Sequence, residues 1–167
     1  MEKRDLYDEN RNLTGRTVFK GEETPDNSYI IVVLVFIQNN DGRFLIQKRS
    51  KKKNGLYATT GGHPKSGENS IQGIISEVRE EIGVKKKKKK LQLYYSGKSD
   101  SQKVFWDDYY IKMDIPSIEN LTLQNEEVES VCWMTEAEIK EMMKNGKFFK
   151  NHYEEFEILL DWLNHRR

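Results

Sequence analysis

The chain has 167 residues, 33% of them charged and 36% hydrophobic, with 28 basic against 27 acidic side chains. That length fits one domain with a real core, and a net charge of +1 gives no global argument for nucleic-acid or membrane binding. Cys132 stands alone, which excludes an internal disulfide and, with three scattered histidines, a cysteine–histidine zinc site.

The opening, MEKRDLYDEN, is polar from its first residues and does not read as a signal peptide. Leu6 and Tyr7 precede a turn-rich stretch, DENRNLTG, after which RTVFK returns as a second strand. SYIIVVLVFIQ is β-branched, of strand length and apolar on both faces, which predicts a buried central strand. Its longest apolar run, Tyr29 to Ile37, is too short to span a bilayer, and the expectation is a soluble, cytoplasmic protein. NNDG (Asn39 to Gly42) signals a hairpin turn, with RFLIQKRS as the partner strand. A loop over Lys51 to Gly55 and a short apolar piece, LYATT, follow.

GGHPKSGEN is a loop by its glycines and proline. Asn69 with Gln72 three residues on forms a capping box, so a helix starts there, and Gly83 suits its left-handed end. The lysine run from Lys85 to Lys90 complements the helix dipole and reads as a solvated loop, since it lacks the interleaved aromatics of a nucleic-acid patch. LQLYYSG, VFWDDYYIKMDI and EEVESVCWM are three more strands; Trp106 and Tyr110 belong to the core rather than to a base-stacking platform, and Cys132 is a small buried hydrophobe. TEAEIKEMMKNG is a helix capped by Thr135, and an amphipathic helix over roughly Tyr153 to Leu163 closes the chain. No internal repeat or linker appears, and the order predicts one mixed α/β domain over 1–167.

The helix from Asn69 to Gly83 carries the chemistry. With Ser76 at zero on a 100° wheel, Glu80 falls near ~40°, Glu77 near ~100° and Glu81 near ~140°. Ile71, Ile74, Ile75, Val78 and Ile82 fill the adjoining stripe, and Arg79 lies away from the acids. A solvated acidic face is the ordinary meaning of such a helix. Three carboxylates on one stripe repel each other, however, and a hard divalent cation such as Mg²⁺ or Mn²⁺ relieves that repulsion with oxygen ligands.

Gly62, Glu68 and SEVREEIGV resemble the Nudix box, G-x5-E-x7-R-E-U-x-E-E-x-G-U with U aliphatic. Gly62, Glu68, Glu77, Val78, Glu80, Glu81, Gly83 and Val84 match at the required spacing; Ser76 stands where the family has arginine. The resemblance implies an α/β/α sandwich with a mixed sheet. It implies metal-dependent hydrolysis, with Mg²⁺ or Mn²⁺, of a small molecule in which a nucleoside diphosphate is linked to another group. Glu77, Glu80, Glu81 and the Gly62 carbonyl would hold the metal, and Glu68 would support the loop–helix junction. The absent arginine looks in that family like an orienting partner of the glutamate at position 77, which makes Ser76 a weaker substitute. The water's proton would go to one of the box glutamates or to an acid from outside the box, sought among Glu126, Glu127 and Glu129; Glu77, Glu80, Glu81 and Glu127 are the catalytic candidates.

For substrate binding, Lys48 and Arg49 end a strand that approaches the phosphate site in such a layout. His63 is either a phosphate contact or an exposed loop histidine; with no partner visible, the exposed reading is favoured. No nucleic-acid or membrane partner is expected, and the reading allows a homodimer. Two alternatives accompany it. DLYDENRNLTGRT and the GGHP loop look somewhat like type I isopentenyl diphosphate isomerase, but that chemistry needs a cysteine before the His-Pro pair, where Thr60, Gly61 and Gly62 stand, and a histidine cluster that is missing. The other is a Nudix domain that senses a nucleotide without cutting it.

Overall fold

The computed structural model describes residues 1–85 and 90–166, so residues 86–89 of the lysine run lie outside the described residues. Among the described residues nine strands and three α-helices follow in order: β1 (Lys3–Tyr7), β2 (Leu13–Phe19), β3 (Ile30–Gln38), β4 (Phe44–Arg49), β5 (Tyr57–Ala58), β6 (Thr60–Gly62), α1 (Ser70–Ile82), β7 (Gln92–Ser99), β8 (Val104–Lys112), β9 (Val128–Met134), α2 (Glu136–Lys144) and α3 (Tyr153–His165).

β3 is the axis of the molecule, and its two-residue alternation builds two cores. Ile31, Val33, Val35 and Ile37 point to one side, where Ile74, Val78 and Ile82 of α1 meet them. Leu34 and Phe36 point to the other, where Phe44, Ile46, Ile139 of α2 and Phe156 and Leu159 of α3 close the second layer. The spacing Ile74, Val78, Ile82 is the four-residue row that a helix presents to a sheet. Each such side chain, fully buried, contributes ~2 kcal/mol before entropy is counted. The result is an α/β/α sandwich with a mixed sheet, as the resemblance implies. Tyr110 is buried and donates its hydroxyl to Gln38 at 2.7 Å, while Trp106 packs across Gly97. Cys132 is half-buried against the second core.

The sheet departs from the expected β3–β4 hairpin. The two strands pair only at Gln38–Phe44, beside the Asn39 turn, and then splay. β6 takes the place beside β3, antiparallel, and β9 and β5 flank β4. β8 runs parallel to β3 on its far side, over the full length from Ile30 to Gln38. β6 takes the edge of β3 that the hairpin would give to β4, and the fork left between β3 and β4 is where the cleft forms.

β1 and β2 make a separate antiparallel hairpin. It is locked onto the main sheet by Arg11, which pairs both guanidinium nitrogens with the carboxylate of Asp107 on β8, one of them at 2.8 Å. Asp107 is buried and also accepts from Ser96 at 2.7 Å, so the charge is fully partnered and its pKa stays below the ordinary value despite burial. Among the described residues no helix is long and apolar enough to cross a membrane.

Candidate active site

The acid helix begins and ends where its caps dictate. Asn69 accepts from the Gln72 N–H at 3.0 Å, Gln72 accepts in return from the Asn69 N–H at 2.9 Å, and Gly83 closes the helix at φ 72°. This fixes the rotation of α1. The row that buries Ile74, Val78 and Ile82 turns Glu77, Glu80 and Glu81 toward the fork between β3 and β4.

These glutamates are not a wet face. Glu81 is 6% exposed, and its Oε2 atom has no hydrogen-bond partner. Burial, then the charge of Glu77, pushes its pKa up to about 8. Glu77 lies half-buried beside it, and burial raises its pKa to about 7 even though the His63 N–H donates to it at 3.2 Å. Gly62 lies directly against Glu77: a Cβ there would fall inside the carboxylate, so only glycine lets the loop backbone approach. Glu80 is turned outward to Lys65 Nζ.

The cleft above these groups has a volume of about 350 Å³ and is lined by β3, β4, β6, α1 and the N-terminal hairpin. A larger, shallow groove of about 510 Å³ between α2 and α3 is walled by Lys140, Met143 and Tyr153. It gathers no acids of the box, so the smaller cleft is the candidate site.

The cleft brings together Gly62, His63, Arg49, Glu77, Glu80, Glu81 and Glu127. Lys48 is not among its lining; one residue before Arg49 on β4, it pairs with Glu129 on β9 at 3.3 Å instead. Strand alternation separates the two neighbours. The carbonyl of Glu126 accepts from Ser50 at 2.6 Å, while Glu127 pairs with Lys53 at 3.1 Å and faces the site. His63 is not an exposed loop residue: it is enclosed in the cleft, and burial, followed by the charges of Arg4, Lys20 and Lys53, lowers its pKa to about 3. It is a neutral imidazole.

Several cleft residues lack any sequence signal in the box. Arg4 and Lys20 arrive from the hairpin; Phe149, Asn151 and His152 arrive from the turn before α3. Arg49 stacks over the Phe149 ring with 4.5 Å to its centroid. His152 is neutral by burial, its pKa lowered to about 3, and its Nδ1 accepts from the Thr59 N–H at 3.4 Å.

The donor set suits a hard cation. A buried and a half-buried carboxyl lie side by side, one oxygen has no partner, and a loop backbone approaches through a glycine. Among the described residues no three acidic, histidine or cysteine side chains converge on one cation-sized point, because Glu80 is engaged by Lys65. A cation held by all three glutamates would have to displace that ammonium from Glu80.

A family model described as NUDIX domain matches residues 28–155. An uncharacterized Nudix hydrolase of Listeria monocytogenes is 34% identical over 152 residues, covering 89% of this chain and 88% of that protein. Among solved structures, DR0079 from Deinococcus radiodurans superposes with a TM-score of 0.75 at 20% identity, over 99% of this chain and 100% of that one. A bifunctional NMN adenylyltransferase/ADP ribose pyrophosphatase from Francisella tularensis, complexed with AMP and a manganese ion, gives a TM-score of 0.60 at 21% identity, over 85% of this chain and 43% of that one.

Proposed function

This chain belongs to the Nudix family and is a hydrolase of compounds in which a nucleoside diphosphate is linked to a further group; we propose that the reaction is metal-dependent and runs in the fork between β3 and β4. The observation that carries this is buried Glu81 beside half-buried Glu77, with Glu81 Oε2 unpartnered. A solvated helix face does not desolvate two neighbouring carboxyls; left to themselves they take up protons, as their raised pKa values show, and a bound cation would instead hold both as carboxylates.

Glu77, Glu80, Glu81 and the Gly62 carbonyl are the residues that would hold Mg²⁺ or Mn²⁺. When bound, the ion supplies positive charge against the diphosphate oxygens and polarises the phosphorus–oxygen bond. The chain's own residues do the rest. Arg49, fixed by its stack on Phe149, offers forked donors to a phosphate. Neutral His63 offers a hydrogen bond without charge. Glu127 faces the site across from Glu81, its negative charge raising the Glu81 pKa, and takes the proton of the attacking water. Residues 1–167 act as one hydrolase domain on a small-molecule diphosphate.

A metal-supplemented hydrolysis screen against a panel of diphosphate compounds tests the reading, with Glu80→Gln as control. Turnover that appears with Mg²⁺ or Mn²⁺ and is lost in Glu80→Gln ties the activity to these acids. Turnover unchanged in the variant, or independent of added metal after chelation, refutes the assignment. Nucleotide binding without phosphate release would favour the sensing alternative.

A further inference from the structure

The inward face of the β1–β2 hairpin has a composition that packing alone does not explain. Arg4 is in register with Val18, and Leu6 and Lys20 continue the same face by two-residue alternation. The ladder carries past the strand end, since the Lys20 N–H donates to the Glu2 carbonyl at 2.9 Å. Leu6 and Val18 do what an inward face should: they are buried with Ile30 in a small core. Arg4 and Lys20 instead extend beyond that core and line the cleft.

Neither cation is in a salt bridge among the described residues. Arg4 Nε is buried without a hydrogen-bond partner. A desolvated guanidinium with an idle donor is costly unless something fills it. The position is also fixed. The Ser66 N–H donates to the Lys3 carbonyl at 2.8 Å, and Ser66 Oγ and the Gly67 N–H donate to the Asp5 carboxylate at 2.6 Å and 2.9 Å. The loop that leads into α1 therefore holds the strand that carries Arg4.

With Lys53 the two side chains line the same cleft as His63, whose backbone N–H contacts Glu77. Lys53 is paired with Glu127, and Glu2 and Glu77 lie near Arg4 without forming a salt bridge to it, so Arg4 and Lys20 keep donors free for an anion. A diphosphate seated against the glutamates through a cation leaves this pair to whatever lies beyond it.

We propose that Arg4 and Lys20 form an anion subsite next to the diphosphate position and set specificity there, favouring substrates whose diphosphate continues into a free terminal phosphate over those capped by a neutral group. The proposal rests on the reading of the cleft as the diphosphate site.

The test is calorimetric titration of the protein at saturating Mn²⁺ with inorganic tripolyphosphate and with diphosphate, comparing the native chain, Lys20→Ala and the double variant Arg4→Ala/Lys20→Ala. Tripolyphosphate should bind the native chain at least about tenfold more tightly than diphosphate, and the double variant should reduce that advantage to below about threefold. Lys20 is exposed, so Lys20→Ala keeps the fold and should lose part of the advantage on its own. Equal affinities in all three proteins, or no tripolyphosphate binding by the native chain, overturn the subsite. So does a double variant that keeps the anion preference and only tightens Mn²⁺ binding, which would make Arg4 a counter-charge for the acids.

A second arm, with Mn²⁺ present, compares a nucleoside triphosphate with a sugar-capped nucleoside diphosphate. The double variant should raise KM for the first and leave KM for the second within about twofold. If no nucleotide is cleaved but the anion preference and its loss are seen, the hydrolase assignment fails and the subsite stands. If cleavage is seen but the variants change neither anion binding nor KM, the subsite fails and the hydrolase assignment stands.

Discussion

Ser76 Oγ donates to Glu68 Oε1 at 2.6 Å, while the Lys65 N–H donates to the other carboxylate oxygen at 2.9 Å. The serine that replaces the box arginine thus serves Glu68, at the loop–helix junction, where the sequence comparison pointed to the neighbouring Glu77. Ser76 is 8% exposed, so its bond is sheltered from water. Ser76→Ala should cost ~1 kcal/mol of stability and raise the metal concentration for half-maximal activity by about tenfold, as loss of a supporting partner does at metal sites. Ser76→Arg replaces a neutral donor by a charged one and should lower that concentration. A Mn²⁺ titration of turnover checks both; no change or a rise in Ser76→Arg counts against the idea.

The difference between Ser76 and its expected partner shows what the sequence could carry. Both helix caps, at Asn69 and Thr135, were legible because a capping box is complete within four residues. β3 was legible as a buried strand because both of its faces are apolar. The β4 partners were not, since β9 lies far along the chain and β5, though near, is a two-residue strand with no pattern of its own. Lys48 and Arg49 are chemically similar neighbours, and only the sheet decides which of them faces the cleft. Arg4 was invisible for the same reason: its role depends on where the hairpin folds back, which Asp107 and the Ser66 loop determine.

Lys65 holds Glu80 in an ion pair at the rim of the cleft, with both side chains about one-third exposed. In the proposed metal site a divalent ion would displace this ammonium to recruit Glu80. The pair is weak by itself, since exposed ion pairs contribute about 0–1 kcal/mol, so it would tune that site without closing it. Lys65→Met should lower the metal concentration for half-maximal activity by a few-fold, about what that energy allows, and leave the thermal midpoint nearly unchanged. The comparison is a Mn²⁺ titration of turnover alongside thermal unfolding. An unchanged or higher requirement would show that Lys65 does not compete.

Asp108 faces the opposite side of the sheet from the cleft glutamates, 1% exposed, with Oδ2 unpartnered and Glu155 of α3 nearby, itself bearing an unpartnered oxygen. Burial, then Glu155 and Asp107, pushes its pKa up to about 8. In the unfolded chain it titrates near ~4. Between these values the folded chain keeps a proton that the unfolded chain releases. Its contribution is therefore full below about pH 4 and is lost as pH rises toward 8, a change on the order of a few kcal/mol. Glu77 and Glu81, also raised, slope the same way, so the informative quantity is the difference from Asp108→Asn. Urea unfolding at pH 5 and pH 8.5 should show a smaller loss of stability in the variant; equal losses would mean that Asp108 is ionised or solvated in the folded chain.

Gly61 and Gly62 are adjacent, and a methyl group added to each meets a different obstacle. At Gly61 the Cβ would sit 2.7 Å from the Val33 carbonyl oxygen, in the β3–β6 ladder, where backbone cannot yield. At Gly62 it would meet only the Glu77 side chain, which can swing aside. Gly61→Ala should therefore lower the thermal midpoint, with a cost of ~1–3 kcal/mol typical of overpacking. Gly62→Ala should spare most of that stability and instead move Glu77, lowering turnover by more than the roughly tenfold expected of a supporting partner, because Glu77 is a proposed metal ligand. Measuring midpoint and turnover on both variants separates the two effects. A Gly62→Ala protein with native turnover would show that the position of Glu77 does not govern the reaction.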